Sequence, residues 1–238
     1  QLHGGADNDQ IFGNGGHVRF TDRPVTETFT KAAPKRLTWP WRAQMIKTLW
    51  KRDGAYRKLG VHRPKSPDPA RVGAAVWVDG AGRALPEVYR KERLFAPLGE
   101  DTYSLVQLNH YALQSMESYI VKCDRGRANR DAGAFDMGYW AERNFSTEDD
   151  LSISRYSPER ARIFAQLRAD AALDALHKSA VAWRRARFEA LMLEEPWRAL
   201  LGRLMLTPPA RPLPAKAEEI LRDFAVKAQA LSPSKKQS

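Results

Sequence analysis

The sequence predicts an α/β fold that gives way to helices alone, and three features predict it. Between Ile11 and Val78, short β-like pieces alternate with proline-bearing loops. Ser104 to Leu108 is a β-like run leading directly into a helical pattern from Tyr111 to Arg125, and a strand feeding a helix is a usual ligand position in such folds. After Ser154 the pattern is purely helical.

Taken in order, the opening Gln1 to Asp9 is polar, contains glycine and carries no element of its own. The β-like pieces are Gly16 to Phe20, Met45 to Trp50 and Val72 to Val78, set among Pro24, Pro34, Pro40, Pro64, Pro67 and Pro69, and Val25 to Lys31 forms one short helix. In the helical part Ser157 is an N-cap with Pro158 at the first helical position, and Ala165 to Glu194 includes a long apolar-periodic stretch. Trp197 to Leu206 and Lys216 to Leu231 are two further helices, separated by the proline-rich Thr207 to Pro214. The expected division is an α/β part over 1–154, a helical extension over 155–231 and a disordered tail over 232–238.

Composition narrows the classes. With 238 residues, 43% hydrophobic and 28% charged, the chain is long enough and apolar enough to fold around a core. No apolar run reaches the length of about 18 residues that a membrane span needs, and the first residues do not follow a signal-peptide pattern, so a soluble, cytoplasmic protein is expected. The single cysteine, Cys123, excludes an internal disulfide and a cysteine zinc cluster. A net charge of +11 favours anionic partners: phosphates, nucleotides, nucleic acid or an acidic membrane surface.

Chemistry concentrates around Tyr111 to Arg125. On a helical wheel Ala112, Met116, Tyr119, Ile120 and Cys123 share one face, which is the buried one. Tyr111, Ser115, Ser118, Lys122 and Arg125 form a second, polar stripe roughly 130° around the helix. Hydroxyls ending in Lys122, Arg125 and Arg127 offer donors suited to phosphate or sugar oxygens, where a merely wet surface more often carries Glu, Gln and Lys. His110 sits at the strand-to-helix junction as a metal ligand, an acid/base group or a structural histidine.

These residues carry a resemblance. Asn109-His110-Tyr111-Ala112-Leu113-Gln114-Ser115, with Glu117, Tyr119, Lys122 and Arg125-Gly126, resembles the HY..KS.E.F..K..RG signature of bacterial glycosyltransferase family 2 and the related family 92-like enzymes. Phe12-Gly13-Asn14-Gly15-Gly16, Pro24-Val25-Thr26-Glu27 with Phe29-Thr30, Ile46-Lys47-Thr48, Gly60 to Lys65 and Trp77 to Gly82 resemble segments of the same enzymes, in the same order. Tyr139-Trp140 with Arg143-Asn144, Glu148-Asp149, and Leu176-His177 with Trp183-Arg184 continue the likeness to about residue 190. Gln114 departs from it, standing where Lys or Arg is usual, and the Trp expected shortly before Phe12 is missing.

The resemblance implies the C-terminal portion of a GT-A-like mixed sheet with helices, the nucleotide-binding half and its metal motif preceding residue 1. Asp7-Asn8-Asp9 has the letters of such a motif, but in a context that chance explains. The implied activity moves a sugar from a nucleotide-sugar donor to a glycan or other hydroxyl acceptor, with inversion and with a divalent cation, Mn²⁺ or Mg²⁺. His110 is the implied metal ligand, and Tyr111, Ser115, Lys122 and Arg125 lie near diphosphate or acceptor. His62, Arg63 and Lys65 approach the donor phosphates or form a solvated basic loop. Glu27, Asp79 and Asp101 are the candidates for the general base, unranked. Trp77 packs in the core or stacks on a sugar. Leu173, Leu176, Ala180, Trp183, Leu191 and Leu193 have packing-compatible spacing, and Arg184, Arg185 and Arg187 form a basic cluster suited to solvent or to peripheral contact with an anionic membrane. The competing expectations are a basic module binding nucleic acid or another polyanion, and an inactive truncated scaffold.

Overall fold

In the computed structural model residues 4–96, 102–126 and 135–231 are described. The strands are β1 (Gly4–Ile11), β2 (Lys31–Ala32), β3 (Ile46–Leu49), β4 (Tyr56–Lys58), β5 (Lys65–Pro67), β6 (Trp77–Asp79), β7 (Leu108–His110) and β8 (Glu148–Asp149). The helices are α1 (Val25–Thr28), α2 (Val88–Lys91), α3 (Met116–Arg125), α4 (Met137–Ala141), α5 (Ser157–Ala169), α6 (Ala171–Met192), α7 (Glu195–Leu206) and α8 (Ala215–Leu231). The chain is therefore of mixed α/β type. It divides into two compact units, one from the residues up to Asp9, Lys35–Leu108 and Pro212 onward, the other from Gln10–Pro34 and Asn109–Arg211.

The first unit is organised by β1, which runs antiparallel to β3, with Asn8 opposite Ile46, and parallel to β6, with Ala6 opposite Asp79. The opening residues thus form a strand where their polar, glycine-rich composition predicted none; a ladder on both sides outweighs weak intrinsic propensity. Ile46, Tyr56, Trp77 and Tyr89 form the core of this unit. The Trp77 indole donates to Tyr56 Oη at 2.8 Å, and Tyr56 donates on to the Arg90 carbonyl at 2.9 Å, so both polar tips are satisfied in the interior. Of the expected β-like run at Val72 to Val78, only its end enters a strand, after a 3₁₀ turn at Val72–Ala74.

The second unit packs around α3. Its side chains Tyr119 and Ile120 are fully buried and share a core with Trp140, Phe188, Leu191 and Leu204, which ties α6 and α7 to the α3 segment. The buried face read on the wheel holds at Met116, Tyr119 and Ile120, but Ser118 and Val121 are buried as well, and the helix begins at Met116, five residues after Tyr111. Gln114 lies in the left-handed region at φ 59° and Ser115 caps the helix, its Oγ accepting the Ser118 N–H at 3.1 Å. Gly126, at φ 72°, ends it.

Four further expectations differ from the structure. Gly16 to Phe20 is a turn and loop, with Gly15 and Gly16 both at positive φ. Ser157 is the first helical residue of α5 after a 3₁₀ turn at Ser152–Tyr156, and its side chain makes no cap. The long helical stretch is broken at Asp170, whose extended backbone and carboxylate cap α6 through the Ala172 and Leu173 N–H groups. The expected strand at Ser104 to Leu108 is shifted to Leu108–His110. The tail over 232–238 lies outside the described residues.

Candidate functional site

Three segments far apart in sequence meet in the second unit. The Phe12 N–H donates to the His110 carbonyl at 3.1 Å, and the Phe12 and Tyr111 rings lie 4.6 Å apart. The Asn14 N–H donates to Asn144 Oδ1 at 3.0 Å, while the Asn14 side-chain amide donates to the His17 carbonyl at 2.8 Å and the Gln114 carbonyl at 2.6 Å. Asn14 is fully buried, so these bonds fix the loop before α3 in its left-handed turn. Gly13 makes the approach possible: a Cβ there would stand 1.9 Å from the Phe145 carbonyl oxygen.

Beside this junction lies a cavity of about 260 Å³ lined by Tyr111, Gln114, Ser118, Lys122, Arg125 and Arg184, with Trp183 at its edge. Ser118 is held by a 3.0 Å hydroxyl contact with Ser115. Lys122 Nζ donates to the Ala112 carbonyl at 2.6 Å and lies 4.6 Å from the Phe135 ring centroid and 4.7 Å from that of Tyr139. Tyr111 Oη accepts from the Asn109 amide at 3.2 Å. Burial pushes the Tyr111 phenol above its ordinary pKa, so it serves as a neutral hydroxyl at physiological pH. Burial, and then the nearby Arg125, lower the pKa of Arg184. The arrangement therefore gathers positive charge and hydroxyls on one small concavity, which is what an oxyanion requires.

The expected stripe is brought together at Tyr111, Ser118, Lys122 and Arg125. Ser115 is not part of the lining: it is buried and spent on capping α3. Arg184 and Gln114 also line the cavity, although sequence reasoning placed Arg184 in a basic cluster and in the resemblance without making it a site residue. Its pairing with Arg125 rests on the α3–α6 packing, which leaves no mark in either helix alone. His110 flanks the cavity through its neighbour Tyr111, its carbonyl accepting from Phe12 and Ala112.

In the first unit Arg63 is buried, donates to the Arg93 carbonyl at 3.3 Å and lies 5.1 Å from the Trp77 ring centroid, so it is a core cation and not an exposed phosphate-binding group. His62 contacts the Ile46 carbonyl at 3.3 Å, and Lys65 is exposed. Trp77 is a core residue. Asp79 is buried and committed to its turn, Oδ1 accepting the Ala81 and Arg83 N–H groups at 2.9 Å and Oδ2 the Arg83 guanidinium at 2.8 Å. Glu27, in the second unit, is ion-paired with Arg160. Asp101 lies outside the described residues, as does Arg127.

A larger cavity of about 740 Å³, lined by Phe20, Val25, Phe164 and Val181 together with charged residues such as Arg160 and Lys178, takes in none of the polar stripe. Among the described residues no three His, Cys, Asp or Glu side chains gather as a metal site, so His110 alone does not make one. No helix among the described residues is long and apolar enough to cross a membrane. Compared with known proteins, the chain matches no family profile, no curated protein and no solved structure.

Proposed function

We propose that this chain takes part in glycosyl transfer, moving a sugar from a nucleotide-sugar donor to a glycan or other hydroxyl acceptor, with the Tyr111–Arg125 cavity receiving a phosphate- or hydroxyl-bearing part of a substrate. The observation that carries the reading is convergence: Phe12-Gly13-Asn14, His110-Tyr111 and Arg143-Asn144, three of the segments that resemble such enzymes, interlock by hydrogen bonds next to a polar, cationic cavity. In an inverting transfer the acceptor hydroxyl attacks the anomeric carbon as the bond to the diphosphate breaks, a carboxylate takes the hydroxyl proton, and cations offset charge on the leaving group. Lys122, Arg125 and Arg184 are the cations suited to that last task. A divalent cation would need ligands beyond His110.

The test is isothermal titration with UDP-, GDP- and dTDP-sugars, with and without Mn²⁺, on the wild type and His110→Ala at about 0.15 M salt. Saturable binding of one nucleotide class, undisturbed by duplex DNA, is the expected result. Equal binding of every polyanion, falling steeply with salt, would instead assign the +11 charge to a polyanion-binding module.

A further inference from the structure

We propose that the cavity between α3 and α6 holds the terminal phosphate of an amphiphile whose hydrocarbon chain lies along an exposed apolar stripe of α6. Three observations lead there. The first is size: at about 260 Å³ the cavity falls below the roughly 300–1,000 Å³ that encloses a whole small-molecule ligand, so it takes a headgroup and leaves the remainder outside.

The second is charge. On α6 the neighbouring cations are neutralised, Arg185 by Asp22 and Arg187 by Asp124, each at 2.8 Å or less. Arg184, and Arg125 on α3, have no carboxylate partner among the described residues, and these are the two arginines that line the cavity. Burial of Arg184, and then the nearby Arg125, depress the Arg184 pKa, and an anion shared by the two arginines offsets their mutual repulsion. A phosphate monoester offers several oxygens to two guanidinium forks and to the Ser118 and Tyr111 hydroxyls.

The third is what adjoins the cavity. Trp183 lines it and is 57% exposed, and Leu176, 67% exposed, stands two helical turns away on nearly the same line of α6. Leu173 and Ala180 flank that line and are also exposed, so a path about 15 Å long by helical rise runs from the cavity over carbon. By the same spacing Asp174 and Glu189 fall on other faces, so no carboxylate of α6 interrupts the path. A polar acceptor sugar would gain nothing from such a surface, whereas an alkyl chain would remove it from water.

Binding of this ligand rests on the cavity; its being a substrate there rests on the glycosyl-transfer reading as well. The experiment therefore measures binding alone. Dodecyl phosphate, inorganic phosphate and dodecyl maltoside, each below its micellar concentration, are titrated into the wild type, Arg184→Ala and Leu176→Asn. Dodecyl phosphate is expected to bind at least about tenfold tighter than either other probe, because it alone satisfies both surfaces. Arg184→Ala should weaken both phosphates, and Leu176→Asn, at an exposed site that leaves the core intact, should remove only the advantage of the chain. Dodecyl phosphate that binds no better than inorganic phosphate or the maltoside, or an advantage that survives Leu176→Asn, would overturn the proposal. Sedimentation of the same proteins provides a second test: a wild-type dimer dissociated by Leu176→Asn, without preference for the alkyl phosphate, would give the stripe to a second copy. A chain that binds dodecyl phosphate but no nucleotide sugar would retain this site and lose the glycosyl-transfer reading.

Discussion

Gly13 and Gly202 make opposite demands on the same residue type. A Cβ at Gly13 would meet the backbone carbonyl oxygen of Phe145 at 1.9 Å, and backbone cannot swing aside as a flexible side chain can. Gly13→Ala is therefore expected to destabilise the chain by about 3 kcal/mol in urea unfolding, the upper range for overpacking, and to loosen the junction that fixes Asn14. Gly202 lies within α7 with nothing near its missing Cβ, so Gly202→Ala should stabilise by about 0.5–1 kcal/mol in the same measurement. Equal effects at the two positions would refute the close approach at Gly13. The sequence flagged Phe12-Gly13-Asn14 only through resemblance; the reason for the glycine lies in residue 145, which no local pattern connects to it.

At the scale of the element, α3 is the part of the site most legible beforehand. Its buried face at Met116, Tyr119 and Ile120 follows from helical periodicity, and the polar residues at Ser118, Lys122 and Arg125 follow from the same wheel. Its start was misread because a helical wheel cannot register a left-handed residue, and Gln114 in that conformation turns Ser115 from a wall residue into a cap. The cap has a measurable worth: Ser115→Ala should cost about 1 kcal/mol in thermal or urea unfolding, because the Ser118 N–H loses its acceptor at a buried helix end. A neutral substitution would mean that the Ser115 hydroxyl is not spent on the helix. α6 was legible as a helix but not in its division of labour. Leu191 enters the core while Leu173, Leu176 and Trp183 stay exposed, although apolar spacing alone reads all four as packing residues, and Phe188, which that spacing did not single out, joins the core.

Across the whole molecule, the mixed α/β class and the helical run after Ser154 were readable from short β-like pieces and long periodic stretches. β1 was not, because its residues are polar and its stability comes from pairing with β3 and β6, contacts of high sequence separation. The candidate site has the same character: Ser118, Val121, Lys122 and Arg125 of its lining come from one helix that the sequence singled out, and Trp183 and Arg184 arrive from another. The central claim is that this cavity receives a phosphorylated ligand through Arg125 and Arg184. The most direct measurement is calorimetric titration of inorganic diphosphate into the wild type and the Arg125→Glu, Arg184→Glu double variant at low salt, with circular dichroism showing both folded. Saturable binding by the wild type, weakened at least about tenfold by the charge reversal, is the predicted result. Equal affinity in the two proteins, or no binding by the wild type, would contradict it.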